Sequence, residues 1–244
     1  MRVTIFGTGR VGSSMAHYAR ALGAEVDVIT RADAASQISR TRTLVESADV
    51  VAAAIPDDRL GGWIEEWRAA LGPKPAIHFS GALIIDGMAS YHPLFSFPVA
   101  PLPPDQMAKI AIAREEGAPP FASLFPGAPN PEFVVSAQDR AYYHALAVVS
   151  GNFAAHLWNE TARAFEARFN LPAEKVFASY LAGVVERFRE SPLDSMTGPV
   201  ARRDGASIKA NLAALAGDPR LKALYLAFLN SAWPGYGEPP EDAG

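Results

Sequence analysis

The stretch Gly7-Thr8-Gly9-Arg10-Val11-Gly12 decides the fold. It is a G-x-G-x-x-G run that directly follows a short β-rich segment, residues 3–6, and directly precedes a helical pattern over residues 11–21. Alone the pattern is common. Between a strand and a helix it predicts a turn in which each glycine has its own task. The first permits the sharp reversal, the second lets backbone approach a pyrophosphate, and the third lets the helix pack on the strand. Free N–H groups at the start of the helix then bind the anion. A dinucleotide site built from Gly7, Thr8, Gly9, Arg10, Val11 and Gly12 is the expectation, with an ordinary βα turn as the alternative.

Outward from that turn, the first half of the chain alternates β-rich and helical runs. Residues 26–29, 50–55 and 76–79 read as further buried strands, and part of 34–46 and residues 58–71 as helices. Such alternation predicts a doubly wound, mostly parallel sheet covered on both faces. Residues 93–131 hold ten of the twenty prolines, which excludes long helices there. Within that stretch residues 109–113 and 132–135 read as strands and 121–125 as a helical turn. After Gln138 the character changes: residues 139–170 lack proline and contain one glycine, Gly151. Helices are expected there and over 173–190, 206–216 and 219–232, the last with Asp218 as N-cap and Pro219 in the first turn. The terminal GYGEPPEDAG reads as frayed. The expected organisation is an α/β Rossmann domain over residues 1–137 and an all-α domain over 138–244.

The second strand bears on which dinucleotide is bound. NAD sites usually place an acid near the end of that strand, on the ribose 2′-hydroxyl. Here the segment ends Val28-Ile29-Thr30-Arg31, with no acid at its tip. A hydroxyl and a guanidinium suit a 2′-phosphate, so NADP is expected.

Composition removes several functions. The formal net charge of −4 offers no basic surplus for nucleic acid. The absence of cysteine excludes disulfides, thiolate metal sites and cysteine nucleophiles. No HxH or HExxH spacing suggests a metal, and no GxSxG elbow suggests a serine hydrolase. No apolar run approaches the ~18–20 residues that span a bilayer. A cytoplasmic enzyme or binding protein with no membrane partner fits these bounds.

In open α/β sheets ligands sit at the carboxyl ends of the strands. The third strand ends Ala54-Ile55-Pro56 and the fourth ends Ile77-His78-Phe79-Ser80-Gly81, so Ile55, Pro56, His78 and Ser80 are candidates beside a nicotinamide. His92 follows in Tyr91-His92-Pro93. Histidine titrates near neutrality and so can donate or accept a proton; the alternative is that His78 and His92 only satisfy backbone groups. In Tyr142-Tyr143-His144-Ala145-Leu146-Ala147-Val148-Val149-Ser150-Gly151-Asn152, polar residues interrupt an apolar helix. At ~100° per residue, His144 and Asn152 lie about 80° apart, with Gly151 about 20° from His144. That face is read either as tight helix packing in a subunit interface or as a ligand-facing surface.

Four motifs occur in order: HFSG at 78–81, HPLFSF at 92–97, YHALAVVSGNF at 143–153 and TGPVARRD at 197–204. Together they make the chain resemble the Rossmann-like proteins described as NADP oxidoreductases of the deazaflavin-dependent type, which carry a C-terminal domain of unknown function. That group is similar in fold to 6-phosphogluconate dehydrogenase, β-hydroxyacid dehydrogenases and pyrroline-5-carboxylate reductase. The resemblance implies a Rossmann domain, an all-α domain of the 6-phosphogluconate-dehydrogenase type and a homodimer whose helical domains complete each other's clefts. It implies no substrate. The β-hydroxyacid dehydrogenases carry a catalytic lysine four residues before the asparagine that matches Asn152; here that position is Val148, and none of the five lysines lies within 139–170. His144 is the nearest replacement. The group's last motif usually has glycine where this chain has Arg203.

The expected function is NADP(H)-dependent hydride transfer to or from a small carbonyl, hydroxy or imine compound in an interdomain cleft. His144 is read as proton donor, Asn152 as substrate orienter, and His78, Ser80 and His92 as cleft lining. The missing lysine keeps a second reading open, an NADP-binding sensor or scaffold. A third is hydride exchange between NADPH and a deazaflavin.

Overall fold

The structure, a computed structural model, describes residues 1–236 of the chain. Most of the fraying expected at the C-terminus, over residues 237–244, lies outside the described residues. The strands are β1 (Arg2–Phe6), β2 (Glu25–Ile29), β3 (Val50–Ala53), β4 (Ala76–His78), β5 (Ala89–Pro93), β6 (Ile112–Glu115) and β7 (Glu132–Val135). The helices of the first part are α1 (Arg10–Ala21), α2 (Arg31–Ser36), α3 (Ile38–Ser47), α4 (Asp57–Leu71), α5 (Pro104–Met107), α6 (Phe121–Leu124) and α7 (Arg140–Ala147). A π-helical turn, Val148–Phe153, leads into α8 (Ala154–Phe169), α9 (Ala173–Glu190), α10 (Gly205–Ala214), a 3₁₀ turn Leu215–Gly217 and α11 (Pro219–Ala232).

The strands form one sheet in the order β2-β1-β3-β4-β5-β6-β7, parallel except where β5 meets β6. The expected doubly wound, mostly parallel Rossmann sheet is therefore present. Its two-faced burial follows from strand alternation. Val3, Ile5, Val50 and Ala52 point into one apolar cluster with Met15, Tyr18, Phe121 and Phe125. Phe6, Val51 and Ala53 point into the other with Trp63, Ile64, Trp67 and Leu71 from α4. The Phe6 ring lies 5.0 Å from Trp63 and 5.2 Å from Trp67. Removing a ring such as Trp67, which is 3% exposed, leaves a cavity that costs about 3–5 kcal/mol.

Three local differences from the sequence expectation have physical causes. The helix expected within 34–46 is two helices, broken at Gln37, whose backbone leaves the helical region (φ −124°, ψ 46°). Residues 89–93 form a strand that the sequence reading passed over. Tyr91 is fully buried there, its hydroxyl donating to the Pro119 carbonyl at 2.7 Å, while Pro93 ends the strand. The helix expected across 139–170 contains the π-helical turn, so the 80° separation assigned to His144 and Asn152 does not hold. A π turn takes more residues than the α-helical 3.6 assumed for it.

Two compact units are present, Met1–Gly151 and Asn152–Gly244. The sheet ends at Val135. The first unit continues past it because α7 belongs to it, anchored by the buried Arg140, whose guanidinium donates to the Ser90 hydroxyl and the Ala113 carbonyl. In the second unit Phe165 joins α8 to α9 through Phe177 at 5.1 Å. Asp204 and Asp218 cap α10 and α11 through the Ser207 and Leu221 N–H groups, each at 3.0 Å. Among the described residues no helix is long and apolar enough to cross a membrane.

Candidate active site

The glycine loop has the geometry that its spacing predicts. Gly7 has φ +106°, and a Cβ there would stand 2.2 Å from the Ala54 carbonyl oxygen. A Cβ on Gly12 would stand 2.2 Å from the Gly7 carbonyl oxygen. Loop, β3 end and α1 are thus packed backbone to backbone, and no side chain fits between them. A Cβ on Gly9 would meet nothing within 4 Å, so the middle glycine faces open space. Gly9 also precedes α1, whose N-terminus has no side-chain cap. Two closed glycines and one open one, with uncapped N–H groups behind, fit a pyrophosphate and supply its donors.

Gly9 lines a cavity of about 760 Å³. Its lining includes Gly7, Thr8, Gly9, Thr30, Arg31, Ile55 and Pro56, seven of the ten residues expected to hold the cofactor. The other three lie behind the loop. Arg10 donates to the Phe97 carbonyl at 3.4 Å, Val11 packs on the core, and Gly12 closes on Gly7. Arg59, Trp63 and Glu66 of α4 also line the cavity and were not anticipated. Thr30 turns out to be a helix cap. Its hydroxyl donates to Asp33 Oδ2 at 2.6 Å and accepts from the Asp33 N–H at 3.1 Å. The Asp33 carboxyl, held by those bonds, titrates below the usual range. Arg31 forms no ion pair among the described residues and, with Arg59, is a cation in the cavity lining.

At the carboxyl ends of β4 and β5 a second set of polar groups converges. Ser80 Oγ donates to Asp57 Oδ2 at 2.7 Å and accepts from the Ala82 and Leu83 N–H groups, which pins the turn after β4 to the first residue of α4. Ser90 Oγ donates to the Ser80 carbonyl at 2.8 Å. His78 is fully buried; its Nδ1 accepts from the Ser80 N–H at 3.2 Å, and Nε2 has no partner among the described residues. His92 Nδ1 lies 2.6 Å from the Tyr143 hydroxyl, and the His92 and His144 rings stand edge to face at 6.1 Å. Gly81 lies between those two rings: a Cβ on it would be 2.7 Å from His144 Cδ2 and 3.0 Å from His92 Nε2. Of the five residues expected to do chemistry, four (His78, Ser80, His92 and His144) are brought together. Asn152, in the π-helical turn, is exposed and belongs to the second unit.

Burial sets the protonation of this cluster. It lowers both His78 and His92 to about 4, with the nearby Arg140 charge adding to the effect and Asp57 opposing it. For His92 the neighbouring His144 contributes as well. Both rings are therefore neutral at physiological pH. Burial raises the Tyr143 hydroxyl to about 12, so it keeps its proton. Asp57, Ser90, Arg140 and Tyr143 were not singled out from sequence. Tyr143 had a signal, since it adjoins His144, but the pairing with His92 spans 51 residues and only the fold reveals it.

This unit is a Rossmann-type fold of the kind shared by NADP-dependent oxidoreductases. Residues 111–231 match the family described as Domain of unknown function (DUF2520). The structure is similar to a Bacteroides fragilis protein described as an NADP oxidoreductase, at 18% identity over 95% of this chain and 97% of that one, with a TM-score of 0.71. It is similar to a Thermotoga maritima protein at 21% identity over 94% and 96%, TM-score 0.68. It is also similar to an imine reductase from Myxococcus stipitatus in complex with NADP+, at 17% identity over 97% and 94%, TM-score 0.63. Comparison with curated proteins finds no match.

Proposed function

We propose that the protein is an NADP(H)-dependent oxidoreductase acting on a small carbonyl, hydroxy or imine compound. The observation that carries this reading is the glycine loop, closed at Gly7 and Gly12 and open at Gly9, beside a cavity that Arg31 also lines. The NADP+ bound to the imine reductase of similar fold supports it. When bound, the nicotinamide supplies or accepts the hydride. The chain's own residues do the rest. The α1 N-terminus holds the pyrophosphate, and Arg31 pairs with the 2′-phosphate. Ser80 and Asp57 fix the turn on which the substrate rests. His144 gives a proton to the developing alkoxide or amine. Asn152 orients the substrate. Residues 1–137 form the NADP-binding domain in this reading and residues 138–244 the substrate and dimerisation domain.

A homodimer belongs to the same proposal. Helices α8 and α9, of 16 and 18 residues, contain no buried residue. They expose Phe169 at 61%, Tyr180 at 64% and Phe188 at 55%. Two amphipathic helices this long that leave such rings exposed among the described residues fit a second copy of the chain.

Calorimetric titration with NADPH and NADH tests the cofactor. NADPH binds at least tenfold more tightly, and Arg31→Ala removes most of that difference. Loss of NADPH absorbance with a panel of ketones, aldehydes and cyclic imines tests the reaction, and His144→Ala lowers turnover at unchanged NADPH affinity. NADPH binding without turnover of any compound would favour a sensor or scaffold. Oxidation confined to a deazaflavin acceptor would favour cofactor exchange.

A further inference from the structure

Tyr143 and His92 form a pair whose chemistry reaches beyond that reading. The two lie at 2.6 Å, hydroxyl to Nδ1. Tyr143 sits on α7, and its ring is also braced edge to face by Phe133 of β7 at 5.7 Å. His92 is on β5, whose register with β6 places it opposite Ala113. Both partners are therefore held by secondary structure. A neutral imidazole has one N–H, and the partner of one ring nitrogen decides where that N–H is. With the Tyr143 hydroxyl as donor to Nδ1, the hydrogen of His92 stands on Nε2.

Nε2 has no hydrogen-bond partner among the described residues and faces Gly81. A Cβ at that residue would be 3.0 Å from Nε2. Glycine lets the chain approach this nitrogen and the His144 ring closely, and His92 as a whole is only half-buried. The titratable groups around His92 are Tyr143, His144, Arg140 and Asp57, and Asp57 already accepts from Ser80.

We propose that Tyr143 is a positioning residue that fixes His92 as a neutral Nε2–H donor, and that this donor selects a carbonyl oxygen as the reacting group. This rests on the oxidoreductase reading above. In the reduction a hydride from NADPH forms a C–H bond at the carbonyl carbon, the C=O π pair moves onto oxygen, and NADPH leaves as NADP+. His92 Nε2–H holds the oxygen as its negative charge develops, and the proton that completes the hydroxyl comes from His144. A fixed neutral donor aimed at a developing oxyanion stabilises the transition state more than the ground state. A protonated imine offers that donor no lone pair at the start of the reaction, so the same geometry disfavours it.

The tautomer is read from long-range 1H–15N correlation spectra of the full chain near neutral pH, with no cofactor or substrate present. The expected spectrum shows His92 as the Nε2–H form, and Tyr143→Phe turns it into a mixture of tautomers. Wild-type His92 carrying its hydrogen on Nδ1 would overturn the proposal, even if Tyr143→Phe did not fold. An unchanged tautomer in a folded Tyr143→Phe protein would also overturn it. In turnover, ketones and aldehydes are reduced, and Tyr143→Phe lowers kcat about tenfold with the NADPH KM unchanged. Turnover confined to a cyclic imine such as 2-methyl-1-pyrroline overturns the substrate assignment. Failure to bind NADPH at all overturns the oxidoreductase reading instead, and leaves the tautomer result standing.

Discussion

The two compact units differ in how their apolar surface is disposed. Met1–Gly151 buries two large clusters, one on each face of its sheet, together with the polar groups Thr4, Ser14, Thr41, His78, Ser80, Ser90 and Arg140. Asn152–Gly244 has a single described cluster of three buried residues, Val200, Ile208 and Leu229. Its two longest helices bury nothing. The first unit can specify a site alone, because a sheet covered on both faces closes its own core. The second holds its surface ready for something outside itself.

The glycine loop offers the most severe way to break the first unit. Gly12→Ala forces a methyl group to within 2.2 Å of the Gly7 carbonyl oxygen, a clash with backbone that no rotamer relieves. Loss of about 3 kcal/mol or more is expected, with NADPH binding undetectable by calorimetry. Gly9→Ala is the control, since its Cβ meets nothing. It leaves the melting temperature nearly unchanged and weakens only the cofactor. Equal loss of stability in both would refute the assigned division of labour in this loop.

Acid tests the buried polar cluster next. Folding holds His78 and His92 near 4, against an ordinary value near 6.5. Between those values the unfolded chain binds protons that the folded chain refuses, so stability rises with pH across this window. The contribution is fully present above about pH 6.5 and is lost as pH falls toward 4. Each histidine accounts for on the order of 3 kcal/mol, by the ~1.36 kcal/mol that attaches to each pH unit. Urea unfolding at several pH values measures the slope. His92→Gln should flatten it, and a slope that persists unchanged would show that His92 is not protonated in this range.

Much of the first unit was legible in the sequence because local rules set it. Periodicity located β1 to β4, and the glycine run located the turn and its helix. Periodicity did not reveal β5, since the alternation of Ala89 and Tyr91 with Ser90 and His92 is only five residues long and ends on proline; the strand exists because Tyr91 fits the core and Ser90 joins the polar network. His78 and Ser80 were named from the end of β4, His92 from the stretch that follows it, and His144 from the polar face of a helix. Their partners Asp57 and Tyr143, and the Arg140–Ser90 bond beside them, were not, because a hydrogen bond across 23 to 51 residues leaves no mark on local pattern. The π-helical turn was missed for a different reason, since a helical wheel assumes the period it is used to detect.

A charge on the exposed face of the second unit sharpens the contrast. Phe188→Asp lies on α9, where the ring is 55% exposed in the single chain. If a second copy covers that face, the substitution costs association about 2 kcal/mol or more and shifts the sedimentation profile toward monomer. The fold of either unit is unaffected. An unchanged dimer, or a wild-type monomer, would remove α9 from the proposed interface.

The smallest effect separates backbone from side chain within the second unit. Arg203 has φ +55°, in the left-handed region where glycine is at ease. A non-glycine residue there costs roughly 1 kcal/mol. The side chain offsets part of that, because its guanidinium carbon lies 5.6 Å from the Trp233 ring, a contact worth ~0.5–1 kcal/mol at an exposed site. Arg203→Gly therefore relieves the backbone and loses the contact, for a net change near zero. Arg203→Ala loses the contact and keeps the strain, so it falls below wild type by about the value of the contact. The gap between the two variants in urea unfolding isolates the backbone term. Were alanine as stable as glycine, the left-handed turn would be relaxing elsewhere, and the second unit would be softer at this corner than its caps at Asp204 and Asp218 imply.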